Sequence, residues 1–252
     1  MTPALELADV GVILGGRPVL TGASLVAIPG EVLGVVGANG AGKTTLLRAA
    51  LGLAKLETGQ ARLAGRPVDR LSEIERAGLA GYLPQERRVA WNMPAWRIAA
   101  LGAPHLAPRE AHRLALTALA DLGVGDLAER GVRDMSGGER AKVLIARLLV
   151  TGAPLLVADE PAAGLDPQAA LTVMEVLKTK AEAGAAVVAT LHDLTLAARH
   201  CDRLAVMSAG RIVAIAPPTE ALAPAVLAEA FGLDGELIAT PSGWVVAARR
   251  LA

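Results

Sequence analysis

A glycine-rich loop runs from Gly37 to Thr44 and ends in a lysine and a hydroxyl side chain. In such a loop, glycines let backbone N–H groups curl around an anion, and the following helix adds the positive end of its dipole. Lys43 is placed to reach the terminal phosphates of a nucleotide, and the Thr44 hydroxyl to bind Mg²⁺. The candidate nucleotide-binding residues are Gly37, Ala38, Asn39, Gly40, Ala41, Gly42, Lys43, Thr44 and Thr45. An apolar strand before the loop and a helical pattern after it complete the required setting, so the sequence predicts binding of ATP with Mg²⁺.

Two adjacent acids, Asp159 and Glu160, follow the apolar run from Leu155 to Ala158. In an open α/β sheet, ligands gather at the carboxyl ends of the strands, which is where this pair would lie. We expect Asp159 to hold the metal directly or through water, and Glu160 to orient and polarise the attacking water. A single acid in this place is often only a solvated strand exit. Beside a phosphate loop, the pair predicts hydrolysis of ATP.

The bulk composition narrows the class of protein. The 252 residues suffice for one large α/β domain or two small ones. Basic and acidic residues balance at 25 each, and only three tryptophans, one tyrosine and one phenylalanine are present, which argues against nucleic-acid binding. A single cysteine and the absence of signal-peptide features indicate a cytoplasmic protein. The hydrophobic fraction of 53% fits either an exposed surface for a partner or an interior rich in alanine and leucine.

Short apolar runs and helical patterns divide the chain into three parts. Residues 5 to 36 hold apolar runs separated by glycine- and proline-containing turns, which predicts a β-rich opening. Later apolar runs lie at 155–158, 185–190, 204–208 and 211–215, and helical patterns lie at 43–53, 68–80 and 108–123. This alternation predicts an α/β fold with a parallel sheet flanked by helices. We expect a core of residues 1–85 and 151–216, a helical lobe at about 86–150, and an extension at about 217–252 with a helix and a strand at 244–248.

Several further motifs resemble those of the ATP-binding-cassette (ABC) ATPases, in that family's order. The segment 136–139, which begins with Ser136 and ends with Glu139, is similar to the family signature. The segment from Tyr82 to Gln85 resembles its glutamine loop, and the segment from Ala163 to Asp166 resembles the one that links two subunits. His192 is similar to the switch histidine. The resemblance covers about residues 5 to 215. It implies a P-loop NTPase (RecA-like) core with an N-terminal antiparallel β subdomain and an inserted α-helical subdomain.

Each motif also has a purely structural interpretation. Ser136 and Glu139 fit a capping box, in which the two side chains close the N-terminus of a helix reciprocally. Asp166, which is followed by proline, is typical of a helix cap. His192 could be an ordinary residue at the start of a helix, and Gln85 an ordinary solvated loop residue. The order and spacing of the motifs favour the functional interpretation.

The resemblance implies a reaction shared by two copies of the chain arranged head to tail. The signature residues Ser136, Gly137, Gly138 and Glu139, together with Asp166, would complete the ATP site of the other copy. Gln85 would sense the γ-phosphate and Mg²⁺ and help to hold the metal, while His192 would contact the γ-phosphate and steady the transition state. A lone subunit should therefore hydrolyse ATP poorly.

This sequence departs from the family pattern at three positions. The family usually stacks an aromatic residue on adenine, and Leu14 stands at the matching position here. The signature usually begins with leucine and ends with glutamine, where this chain has Met135 and Glu139. The contact with the base is thus left open.

The favoured function is that of a transporter subunit, because the chain has one cassette and no long coiled coil. Translation-type and DNA-repair relatives, a single-cassette exporter and a nucleotide-binding regulator remain alternatives. The motifs resemble most closely the ATPases of bacterial importers of iron-siderophores, haem or cobalamin. This resemblance implies membrane permease subunits as partners, with or without a substrate-binding protein, at the cytoplasmic face of the membrane. We expect the permease to dock near residues 85–97, where Trp91 and Trp96 would either line a groove or pack inside the lobe.

Overall fold

A computed structural model describes residues 2–86 and 89–251. Its strands are β1 (Leu5–Leu14), β2 (Arg17–Ala27), β3 (Val32–Gly37), β4 (Thr58–Leu63), β5 (Arg66–Pro67), β6 (Ala80–Leu83), β7 (Leu155–Ala158), β8 (Ala186–Thr190), β9 (Arg203–Ser208), β10 (Arg211–Ala216), β11 (Leu233–Thr240) and β12 (Gly243–Arg250). Its helices are α1 (Lys43–Ala50), α2 (Glu73–Leu79), α3 (Ala95–Ala100), α4 (Pro108–Asp121), α5 (Gly137–Val150), α6 (Pro167–Glu182), α7 (Leu194–His200), α8 (Pro218–Ala221) and α9 (Pro224–Phe231). In the described ranges, no helix combines the length and the apolar character that crossing a membrane requires.

The central sheet has six strands in the order β10-β9-β3-β8-β7-β6. Five of them are parallel, and β10 pairs antiparallel with β9 at one edge. Every residue of β3, β7 and β8 is buried, as expected for parallel strands covered on both faces. The predicted parallel sheet is confirmed. It places the carboxyl ends of β3, β7 and β8 side by side.

A second sheet confirms the expected antiparallel opening of the chain. Its four strands run in the order β2-β1-β4-β5. The inner side chains of this sheet share one core with α1 and one face of the central sheet. Helices α3, α4 and α5 pack on one another in the other core, which covers the opposite face. The helix expected at 108–123 is present as α4.

The helical prediction for residues 68 to 80 was wrong in its extent. A 3₁₀ turn at Val68–Arg70 is followed by a separate helix, α2, and strand β6 begins at Ala80. Ser72 starts α2 because it forms a capping box with Glu75: each side chain accepts a hydrogen bond from the other's backbone N–H.

The C-terminal extension contains one strand more than the sequence indicated. The strand expected at 244–248 lies within β12, but β11 was missed. Asp234, Gly235 and Glu236 give β11 a composition that disfavours strands. Pairing with β12 across a two-residue turn supplies the missing stability, and this hairpin contacts α7 and α9.

Candidate functional site

The phosphate loop connects β3 to α1, as its sequence pattern requires. Gly40 and Gly42 have φ angles of 80° and 100°, in the left-handed region that favours glycine. A side chain at Gly40 would meet no atom within 4 Å, so the loop leaves open space at this point. Gly42 begins α1 without any side-chain cap. The first N–H groups of α1 therefore remain available for an anion.

Lys43 bends back across this loop. Its ammonium Nζ donates hydrogen bonds to the carbonyl oxygens of Gly37 at 2.8 Å and Ala38 at 3.3 Å. Burial lowers the pKa of Lys43 below its ordinary value, while the charges of Glu160 and Asp159 act in the opposite direction. A partly desolvated ammonium gains more from a bound phosphate than a fully hydrated one does. Lys43 is therefore positioned for the role that the sequence predicts.

Asp159 and Thr190 form a buried pair at the ends of β7 and β8. Both residues are fully buried, and the Thr190 hydroxyl donates to Asp159 Oδ1 at 2.6 Å. Asp159 Oδ2 is also buried and has no hydrogen-bond partner among the residues that the structure describes. A buried carboxylate oxygen without a partner fits a cation, directly or through water.

The residues of this site would fit a magnesium ion that is held largely by the substrate. Across residues 2–86 and 89–251, no cluster of three or more His, Cys, Asp or Glu side chains is able to hold a metal ion. Mg²⁺ commonly takes only one or two protein oxygens and fills its other positions with phosphate and water. Asp159 and the partly exposed Thr44 in the first turn of α1 fit that requirement.

Glu160 is held in a strained conformation next to His192. Its φ angle of 53° is unusual for a residue with a side chain, and such strain is concentrated at functional sites. The Glu160 backbone N–H donates to Thr190 Oγ1 at 2.7 Å, and the carboxylate is hydrogen-bonded to His192 Nε2. The structure thus joins two predicted catalytic residues that lie 32 positions apart.

Sequence reasoning assigned no role to Thr190. A polar residue at the end of an otherwise apolar strand was the available signal. Its hydroxyl donates to Asp159 and accepts from the Glu160 backbone, so one side chain connects both members of the acidic pair.

Gln85 lies two residues beyond the end of β6. The Asp159 backbone N–H donates to the Leu83 carbonyl oxygen at 2.8 Å, which fixes the start of this loop beside the acidic pair. The Gln85 side chain is exposed. Within the predicted docking segment 85–97, Arg87 and Arg88 lie outside the described residues.

The signature segment forms the N-terminus of α5. Ser136 Oγ accepts from the Glu139 backbone N–H at 3.2 Å, and Glu139 Oε2 accepts from that of Ser136 at 2.7 Å. The predicted capping box is confirmed, and its hydrogen bonds lower the pKa of Glu139. In the part of the chain that the structure covers, no hydrogen bond or ion pair connects residues 136–139 to the loop at 37–45. Asp166, an exposed residue, caps α6 by accepting from Ala169 N at 2.9 Å.

The two tryptophans of the predicted docking groove differ in their surroundings. Trp91 is 70% exposed. Trp96 is partly buried: its indole N–H donates to Glu129 Oε2 at 3.1 Å, and its ring meets His112 edge to face at 4.5 Å. Trp96 therefore packs within the helical segment, whereas Trp91 is largely exposed.

A phosphate loop, a buried aspartate and a Glu–His pair at the ends of adjacent parallel strands define an ATPase of the ATP-binding-cassette class. Residues 20–163 match the family described as ABC transporter, which is more than half of the 252 residues. The chain belongs to this family. It binds and hydrolyses ATP.

The chain is similar to curated relatives over nearly its whole length. The hemin import ATP-binding protein HmuV of Streptomyces coelicolor is 40% identical over 246 residues, covering 95% of this chain and 88% of that protein. HmuV of Myxococcus xanthus is 39% identical over 249 residues, covering 94% and 93%. A solved dimeric, post-hydrolysis state of the ATP-binding cassette MJ0796, bound to ADP and phosphate, aligns with a TM-score of 0.77 at 24% identity, covering 85% of this chain and 98% of that one.

Proposed function

We propose that this chain is the ATP-hydrolysing subunit of an importer for haem or a related metal chelate, working with separate membrane-spanning permease subunits. The similarity to hemin import ATP-binding proteins carries this proposal, because it extends over 94–95% of the chain and so includes the helical segment and most of the tail. Iron-siderophores and cobalamin are also metal chelates, so importers of these compounds belong to the same proposed class. The subunit would sit peripherally at the cytoplasmic face of the membrane.

The phosphate loop binds the triphosphate in this proposal. The free N–H groups at the start of α1 and the Lys43 ammonium receive the β- and γ-phosphates. Thr44 and Asp159 hold Mg²⁺, with Gln85 reaching the same region from the loop after β6. When bound, Mg²⁺ supplies positive charge that offsets the charge developing on the phosphates.

Glu160 and His192 prepare the water that attacks the γ-phosphate. Glu160 orients and polarises this water, and its strained backbone is held by Thr190. His192 shares a hydrogen bond with Glu160. In this proposal it contacts the γ-phosphate and stabilises the transition state. The two side chains act as a positioned pair, so neither is expected to work at full rate without the other.

Two copies of the chain are needed for complete sites. The Ser136–Glu139 segment and Asp166 lack any hydrogen bond to the phosphate loop of their own subunit within the described residues. A head-to-tail dimer brings the α5 N-terminus of one copy to the γ-phosphate bound by the other. The ADP- and phosphate-bound MJ0796 cassette is a dimer.

The permease docks on a cleft beside the glutamine loop. This cleft lies next to β6 and is lined by Leu53, Glu73, Arg76 and Tyr82. Large apolar side chains are exposed on the segments that form this cleft and on the docking segment 85–97: Leu53 at 49%, Ile74 in α2 at 86%, and Trp91 at 70%. Contiguous exposed apolar surface marks interaction sites, and in this proposal these three side chains contribute to such a surface. A short permease helix inserted here would couple the conformation of the loop that carries Gln85 to the conformation of the membrane subunits.

Replacing Trp91 by alanine should weaken association with the permease about tenfold or more, because an exposed tryptophan is a typical interface anchor. The ATPase rate of the isolated subunit should stay unchanged. Co-purification of detergent-solubilised permease with the variant measures the effect, and Leu116→Ala on α4 serves as an exposed apolar control. Unchanged assembly would show that Trp91 lies outside the interface.

Replacing Leu14 by tyrosine should tighten ATP binding about fivefold, because an aromatic ring adds roughly 1 kcal/mol of stacking on a base. Leu14 is 51% exposed at the end of β1, and β2, its partner strand, contacts the loop near Gly42. Ile13→Tyr is the matched control, since Ile13 is 49% exposed but faces the opposite side of the strand. Titrations with ATP and with tripolyphosphate distinguish an effect on base binding from an effect on phosphate binding. An equal effect on both ligands would place Leu14 away from adenine.

Growth on a defined iron source tests the transport function. A host strain lacking this subunit should fail to grow with haem as its only iron source, yet grow with ferrous salts. The wild-type gene should restore growth, and a Glu160→Gln variant should not. Normal growth on haem, with loss of uptake of cobalamin or a ferric siderophore instead, would reject haem as the cargo.

A further inference from the structure

Helix α7 follows directly on the Glu160–His192 pair. Asp193, the residue after His192, caps this helix by accepting a hydrogen bond from Leu196 N at 2.9 Å. The helix has only seven residues, too few to be stable on its own. The position of α7, and with it that of His192, therefore depends on the elements that pack against it.

Packing against α6 supports α7 only in part. An open cleft of about 400 Å³ lies between α6 and α7, with Glu160 and His192 at its wall. Leu165, Ala170 and Leu171 line it from the α6 side, and Thr195 and Arg199 from α7. Side chains that border an open cleft have no protein atoms packed against them on that side.

The C-terminal hairpin gives α7 a second support. The backbone N–H of Val246 donates to Thr195 Oγ1 at 3.1 Å, and Arg199 Nε donates to the carbonyl oxygen of Trp244 at 2.7 Å. Thr195 and Arg199 are four residues apart on one helix face, about 6 Å along the axis. Trp244 and Val246 are alternate residues of β12, about 6.6 Å apart, so the helix face and the strand match in spacing.

We infer that the hairpin β11–β12 is a positioning element for hydrolysis, which acts through Thr195 and Arg199 to hold α7 and thereby the Glu160–His192 pair. This inference rests on the proposed function, in which that pair prepares the attacking water. The hairpin is itself attached to the body of the protein, since Leu237, Trp244 and Val246 pack partly buried against the main core. A two-stranded hairpin is marginal by itself, so the contacts with α7 stabilise both elements together.

Thr195→Val tests the inference because valine keeps the shape of threonine and removes the hydroxyl. We expect kcat to fall about fivefold, the effect of one lost neutral hydrogen bond, with the KM for ATP within a factor of about two. Thr195→Ser should restore kcat, and Arg199→Met should reproduce the loss through the second contact. Thr179→Val is the matched control, since Thr179 is an exposed α6 residue whose hydroxyl donates to the Glu175 carbonyl oxygen of its own helix.

The readouts are steady-state ATPase kinetics, ATP affinity and Tm for all full-length variants. A lower kcat measured well below Tm, with unchanged ATP affinity and rescue by serine, supports the positioning role, and a small drop in Tm is expected from the lost hydrogen bond. A wild-type kcat in both Thr195→Val and Arg199→Met overturns it, as does a loss confined to ATP affinity or Tm. Absence of hydrolysis in the wild type would overturn the proposed function itself, which is a separate result.

Discussion

Glu160→Gln is expected to lower kcat about 100- to 1,000-fold, as the loss of one transition-state interaction of roughly 3–4 kcal/mol does. Glutamine keeps the size of the side chain and one oxygen near His192, but it can no longer polarise water as a carboxylate does. ATP binding should persist, because Lys43 and the α1 N-terminus are untouched. The variant should then accumulate as an ATP-bound dimer.

Single-turnover hydrolysis and light scattering measure the two parts of this prediction. Glu182→Gln is the control, since Glu182 is an exposed acid near the end of α6. A Glu160→Gln protein that turns over at the wild-type rate would assign water activation to another group. A variant that loses ATP binding would show that Glu160 acts mainly by stabilising the charge of Lys43.

Lys43→Ala should weaken ATP binding roughly a hundredfold, about 3 kcal/mol, because it removes a charge-assisted contact with the phosphates. The same substitution should leave the Tm unchanged or higher. Lys43 is desolvated in the folded protein, as its lowered pKa indicates, so removing its charge relieves a penalty. Activity and stability are thus expected to change in opposite directions, as is common at binding sites.

Equilibrium titration with a fluorescent ATP analogue and thermal unfolding check both expectations. Lys55→Ala provides the control, because the Lys55 side chain is 86% exposed and faces Glu57. A Kd within about threefold of the wild-type value would mean that backbone N–H groups alone bind the triphosphate. A large drop in Tm would mean that the hydrogen bonds from Nζ to Gly37 and Ala38 hold the loop together.

Much of the fold and site could be predicted from sequence because the relevant signals are local. The phosphate loop depends on a strand, a turn and a helix that are continuous in the chain. The parallel strands are visible in the sequence as apolar runs, since both of their faces are buried. The capping boxes at Ser72 and Ser136 are short-range patterns too, but only the second was anticipated.

The features that were missed depend on contacts between distant segments. Thr190 connects Asp159 to Glu160 only because β7 and β8 are neighbours in the sheet. Strand β11 has a weak strand composition and forms because β12 pairs with it. The contact between Thr195 and Val246 spans 51 positions, and a threonine on a short helix gives no sign of it.

Two copies of this chain together are proposed to form the sites that hydrolyse ATP. The most direct test is the steady-state ATPase rate per subunit, measured with Mg²⁺ over a wide range of protein concentration. We expect the rate per subunit to rise with concentration and to level off when light scattering shows that all subunits are dimeric. A rate per subunit that stays constant from monomer to dimer would contradict it, and would assign hydrolysis to a single chain.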